Sequence, residues 1–294
     1  MLKAKKTIKR VSLTLGGLVL VILAIGVTAN IVSPPSGYSS QTTSLVRGIK
    51  IVSEVHQDRM PIVTLTGATI TDAPLQEVQS MAESGNREAQ MILGALYWQG
   101  IGVSINGINF VPTDLSRSLH WYQKAAQQGT PEAHYYIGRA FEMGEGVSED
   151  KQAARSWYEK GARLNHAPSI SKIGYFINKG IGGLKANPVE SANWFRRAAE
   201  MGDAIAQANY GVMLYHGIGV HQNLEQAVVW IRRSAEQGEA HGQFLLGNAY
   251  EHGEGVEKSM EQAISWYTEA ENSGSAQAEK RLAELNDQTL ASAN

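Results

Sequence analysis

Of 294 residues, 43% are hydrophobic and 18% charged, the balance of a folded chain rather than a disordered one. No cysteine is present, which excludes a disulfide framework, a thiolate metal site and a lipid-modified N-terminal cysteine. The formal charge is −2, yet five of the 26 basic residues fall within the first ten; the other 21 are set against 28 acidic residues, and so acidic a body argues against nucleic-acid binding.

Residues 1–10, with Lys3, Lys5, Lys6, Lys9 and Arg10, form a basic flank ahead of an apolar segment, 11–32. No charged side chain occurs between Arg10 and Arg47, and Leu18 to Ile25 is apolar throughout. Val11 to Ala29, at about 1.5 Å rise per helical residue, approaches the hydrocarbon thickness of a bilayer. The positive-inside bias puts the flank in the cytoplasm. The segment is therefore expected to be a single-pass signal anchor in the inner membrane, with the rest of the chain in the periplasm if the cell is bacterial. The alternative is a signal peptide cut after Ala29, with small Val27 and Ala29 at the cleavage site, leaving a soluble periplasmic protein.

Residues 33–70 read as a linker, with polar and proline-bearing Ser33 to Ser44, followed by short extended segments. Ile49, Ile51, Ile62, Thr64 and Thr66 suggest strands, interrupted by Pro61 and Gly67, as a hairpin or an extended arm. A helix is expected from Thr71, with Asp72 as cap and Pro74 in the first turn.

From there the chain repeats itself. Gly94, Gly138, Gly174, Gly211 and Gly247 are 44, 36, 37 and 36 residues apart, and Trp121, Trp157, Trp194, Trp230 and Trp266 are 36, 37, 36 and 36 apart. Each unit breaks into two helices. The first ends at a Gly-x-Gly turn: Gly100/Gly102, Gly144/Gly146, Gly180/Gly182, Gly217/Gly219 and Gly253/Gly255. Seven residues before each tryptophan stands a capping residue for the second helix: Asp114, Asp150, Asn187, Asn223 and Ser259. Eight after it comes Gly129, Asn165, Gly202, Gly238 or Gly274, and the next first helix follows at Thr130, His166, Asp203, Glu239 or Ser275. The tryptophan is expected to fill the space between successive hairpins.

This pattern resembles the Sel-one-like repeat, a helical-hairpin relative of the tetratricopeptide repeat, most fully in Ala240 to Gly274. The resemblance implies an all-α, right-handed α-solenoid over 71–286: a half-repeat cap at 71–86, five repeats at 87–275 and a capping helix at 276–286. A tail, 287–294, would be frayed. Caps are needed because the end faces of a stack are otherwise open.

No motif for an enzyme, nucleotide, metal or cofactor site occurs. The Gly-x-Gly turns are explained by repetition, and His216 and His252 occupy equivalent positions about 10 Å apart on neighbouring hairpins, too far for one metal ion. The expected function is therefore non-catalytic, without cofactor or small-molecule substrate.

In the tetratricopeptide superfamily a stripe on the first helices lines a concave groove, and the resemblance implies the same here. The corresponding residues are Met91, Trp98 and Gln99; Tyr135, Arg139 and Glu142; Ser171, Tyr175, Asn178 and Lys179; Val212, Tyr215 and His216; and His241, Phe244, Asn248, Glu251 and His252. Aromatic residues and arginine dominate binding hot spots, so a protein partner is expected in this groove. An apolar insertion in the first repeat, with Ile105, Ile108 and Phe110, is a second candidate binding element, or folds back over the N-terminal cap. By resemblance, the partner is an envelope complex component, with the chain as an adaptor. Alternatively it is a lipase effector delivered by type VI secretion, with the chain as its immunity protein.

Overall fold

The computed structural model describes residues 12–15, 18–21, 41–46, 49–54, 62–66, 72–100 and 112–292, with side chains placed over 78–100 and 112–288. The chain divides into two units, Met1–Ser36 and Gly37–Asn294. In the first, β1 (Ser12–Leu15) and β2 (Leu18–Val21) pair antiparallel, Leu15 opposite Leu18. Of the segment 11–32, expected to be a membrane-crossing helix, the described residues are these two paired strands, where β-branched Thr14, Val19 and Val21 favour extended backbone; the rest of the segment lies outside the described residues. No described helix is long and apolar enough to cross a membrane.

The second unit begins with a three-stranded antiparallel sheet, β3 (Gln41–Val46), β4 (Ile49–Glu54) and β5 (Ile62–Thr66), in the order β3-β4-β5. The isoleucines that mark 45–70 as extended open β4 and β5. Then follow α1 (Asp72–Glu83) and five helix pairs: α2 (Arg87–Gln99) with α3 (Leu115–Gln127), α4 (Pro131–Met143) with α5 (Lys151–Arg163), α6 (Ala167–Lys179) with α7 (Pro188–Glu200), α8 (Ala204–His216) with α9 (Leu224–Glu236), and α10 (Ala240–His252) with α11 (Met260–Asn272). The last helix, α12, runs over Ala276–Ser292. The expected frayed tail at 287–294 is corrected: Leu282 and Leu285 pack on the last core cluster, and helix continues to Ser292. The insertion residues Ile105, Ile108 and Phe110 lie outside the described residues.

All five expected caps of the second helices accept a backbone N–H. Asp114 takes that of Arg117 (2.9 Å), Asp150 that of Ala153 (2.9 Å), Asn187 that of Glu190 (3.2 Å), Asn223 that of Gln226 (2.9 Å) and Ser259 that of Gln262 (3.3 Å). Among the first helices, Asp203 and Glu239 cap, whereas Thr130 and His166 make no side-chain cap bond. Asn165 is in the left-handed region at φ 57°, as its place among the glycines requires.

The tryptophans do not fill the space between hairpins. Each is only partly buried, and the residue after it fills that space: Tyr122, Tyr158, Phe195, Ile231 and Tyr267 are each 3% exposed or less. A Cβ on Gly94, Gly138, Gly211 or Gly247 would stand 2.6 to 2.7 Å from these side chains, and one on Gly174 would stand 3.2 Å from Phe195. The tryptophans lie at the edge of this core, and four carry a cation three residues on, including Lys160 at 3.7 Å over Trp157 and Arg233 at 4.6 Å over Trp230. Truncation to alanine of a buried ring such as Tyr158 should therefore cost about 3–5 kcal/mol, the penalty first expected of the tryptophan.

Repeats two and three meet at a pair of histidines. His134 is buried, with Nδ1 2.8 Å from the Thr130 carbonyl, and its ring tilts on Trp157. His166 Nδ1 is 2.9 Å from Ser169 Oγ, and the ring meets Tyr135 edge-on at 5.6 Å. Burial, and then the nearby His134, lower the pKa of His166 to about 4. The unfolded imidazole titrates at about 6.5, so as pH falls from there towards 4 the unfolded chain takes up a proton that the folded one does not. Stability is thus full above that window and lost through it. The melting temperature should fall between about pH 6.5 and 5, ahead of carboxylate titration, and His166→Gln should flatten that slope. An equal slope in the variant would show that the histidine is not its source.

Candidate interaction groove

Successive first helices touch: α4 meets α6, α6 meets α8, and α8 meets α10, whereas successive second helices meet weakly or not at all. A stack whose first helices lie closer together curves towards them. The inner, concave side is therefore formed by α4, α6, α8 and α10.

The expected stripe separates into floor and rim. Tyr135, Glu142 and Glu251 are 5%, 7% and 6% exposed and form the floor. Tyr135 packs against the rings of Tyr136, Tyr158 and His166. Glu142 accepts from the Tyr158 hydroxyl and is 3.2 Å from Lys172 Nζ. Glu251 accepts from the Tyr267 hydroxyl at 2.6 Å and from Arg281 Nε at 3.1 Å. These two clusters occupy the same repeat positions: a glutamate four residues after the glycine, the tyrosine after the tryptophan, and a cation from the next first helix. Arg281 holds the Glu251 carboxyl below its ordinary range, while burial and Glu251 raise Tyr267. Ser171 is also buried.

The remaining stripe residues are half-buried or exposed. Met91 and Trp98 pack at the edge of the core, and the Arg139 guanidinium lies 5.4 Å from the Trp98 ring centroid and 3.9 Å from Glu145. Gln99, Asn178 and Val212 are half-buried, and Tyr175 is 38% exposed. Tyr215 donates to Glu254, which with burial pushes its phenol up to about 12, and His216 stands exposed beside it. Phe244 tilts on Tyr267, and Asn248 accepts from the Tyr267 hydroxyl at 2.6 Å. Lys179, His241 and His252 are exposed.

Between α4, α6 and α8 the groove deepens into a recess of about 280 Å³. Tyr135, Phe195, Pro168 and Ile205 supply apolar wall; Glu142, Ser171, Lys172, Tyr175, Asp203 and Asn209 supply polar atoms. Lys172 and Asn209 are absent from the expected stripe. Both stand two residues before a repeat glycine, three before Tyr175 and Val212, so helical spacing alone puts them on the same face.

The Sel1 repeat model matches residues 87–130, 131–166, 167–203, 204–239 and 240–275. Among solved structures, a Sel1 repeat protein from Oxalobacter formigenes is 33% identical, with a TM-score of 0.60 over 71% of this chain and 83% of that one. An uncharacterized protein of Neisseria meningitidis is 25% identical over 52% of this chain and 30% of its own length. Chitin synthase regulatory factor 3 of Schizosaccharomyces pombe is 30% identical over 40% of this chain and 12% of its own. The matches thus span less than a third of these two curated relatives. With five consecutive matches covering 87–275, the chain belongs to the Sel1 repeat family.

Proposed function

We propose that the chain is a non-catalytic scaffold that binds a protein partner in the groove of its first helices. The observation that carries this reading is the recess between α4, α6 and α8, with Tyr175 38% exposed at its rim. An exposed aromatic ring beside an apolar recess suits an anchoring side chain from a partner. Neutralisation of a secreted lipase is a special case with no observation of its own in the groove, and the adaptor reading is the one retained.

The test compares the two sides of the array. Tyr175→Ala and Val212→Glu alter the groove; Val229→Glu, at a 51% exposed position on α9, alters the opposite side. A partner captured by the full-length chain should be lost with the groove variants and kept with the α9 variant, all three melting within a few degrees of the parent. Loss with Val229→Glu alone would move the binding surface to the second helices.

Export of the array belongs to the same proposal, and its support is the basic cluster before an uncharged run that ends at Arg47. A phosphatase reporter that is active only outside the cytoplasm, fused after Asn294, should be active. An inactive reporter on a stably accumulated fusion would remove the export reading.

A further inference from the structure

Four residues after the repeat glycines stand Trp98, Glu142, Asn178, Tyr215 and Glu251. Five junctions join successive first helices from α2 to α12, and at four of them a charged side chain of the following unit holds this residue. Arg139 of α4 lies 5.4 Å from the Trp98 ring centroid, and Lys172 Nζ of α6 is 3.2 Å from Glu142. Glu254, just past α10, accepts from the Tyr215 hydroxyl, and Arg281 Nε of α12 donates to Glu251 at 3.1 Å.

The junction between α6 and α8 is built differently. Its residue is Asn178, and the positions of α8 that correspond to Lys172 and Arg139 are Asn209 and Val212. The tyrosine that donates to Glu142 or Glu251 is replaced here by Phe195, which has no hydroxyl. On the side of the second helices the junction keeps its close backbone contact. A Cβ on Gly219 would stand 2.2 Å from the Pro188 carbonyl oxygen, and Gln207 Nε2 donates to the Ala199 carbonyl at 3.2 Å. The two sides of this junction are thus fastened unequally. Separating α4 from α6, or α10 from α12, would strip a buried carboxylate of its cation, which is heavily penalised. Separating α6 from α8 instead exposes two half-buried neutral amides, Asn178 and Asn209, that water can satisfy. The recess lies at this junction, with Tyr175, Phe195, Ile205 and Asn209 in its wall.

We propose that the junction between α6 and α8 is the bending point of the array. Repeats four and five, with α12, swing as one body against repeats one to three about the contact of Gly219 with Pro188. The motion changes the width of the groove at the recess. This bending belongs to the chain itself and does not depend on the groove taking a partner.

The test is double electron–electron resonance on the full-length chain, whose lack of cysteine lets nitroxide labels be placed in chosen pairs. The exposed residues Met143, His216 and Gln288 stand at equivalent positions of α4, α8 and α12. Met143→Cys with His216→Cys spans the α4–α6 and α6–α8 junctions, whereas His216→Cys with Gln288→Cys spans the α8–α10 and α10–α12 junctions. The first distance distribution should be about twofold broader than the second. Asn178→Glu, Phe195→Tyr and Asn209→Lys together install the missing triad and should narrow the first distribution to the width of the second. A first distribution no broader than the second overturns the proposal, and so does a folded triad variant that leaves its width unchanged. If the triad variant does not fold, the comparison of the two label pairs decides alone.

Discussion

The contact on which this array depends is the one between the repeat glycine of a first helix and the side chain that follows the tryptophan of the second. Absence of a Cβ lets Tyr122, Tyr158, Phe195, Ile231 and Tyr267 lie directly on the backbone of the neighbouring helix. The close approach is reinforced across the pair. Ser118 Oγ donates to the Gly94 carbonyl at 2.6 Å and Ser191 Oγ to that of Gly174 at 2.8 Å, while the other three units have alanine at this position. The second glycine of the last four turns extends the arrangement to the preceding hairpin: a Cβ on Gly146 or Gly182 would stand 2.8 Å from the backbone of Leu115 or Lys151, the first residues of α3 and α5. Helix pairing and repeat stacking thus rest on the same device, side chains omitted where backbones must meet.

That frame consumes one face of each first helix and leaves another free. Because first helices approach one another more closely than second helices do, the free face turns inward and becomes a groove. Its chemistry is then set by the positions that differ between units. At the position four after the glycine, repeats two and five carry Glu142 and Glu251, tied to a tyrosine and a cation; repeats one, three and four carry Trp98, Asn178 and Tyr215. The former are buried in the floor, and the latter are half-buried at the rim, where Trp98 meets Arg139 and Tyr215 donates to Glu254.

Spacing in the sequence made the hairpins, their caps and their turns legible, because these rest on backbone chemistry: a capping oxygen at Asp114 or Asn223, a left-handed residue at Gly144 or Asn165. Periodicity did not reveal which aromatic is core. Trp157 and Tyr158 are adjacent and recur together, and only packing shows that Tyr158 is the one facing Gly138. The stripe was legible as a face but not as depth, since Tyr135 and Tyr175 both fall on it and only the first is enclosed by neighbouring rings. Lys172 and Asn209 went unread although helical spacing places them there. At the N-terminus, an uncharged apolar run of this length reads as a membrane helix; it also contains β-branched residues, and its described residues 12–15 pair with 18–21.

The glycine-to-side-chain contact is tested most directly by a double-mutant cycle on Gly211 and Ile231, where a Cβ would meet Ile231 Cγ1 at 2.6 Å. Gly211→Ala should destabilise by overpacking and Ile231→Ala by leaving a cavity, each by about 1–4 kcal/mol. Combined, the new methyl occupies space vacated by the isoleucine, so the pair should be less destabilised than the sum by at least about 1 kcal/mol. Additive losses in urea denaturation would contradict the account.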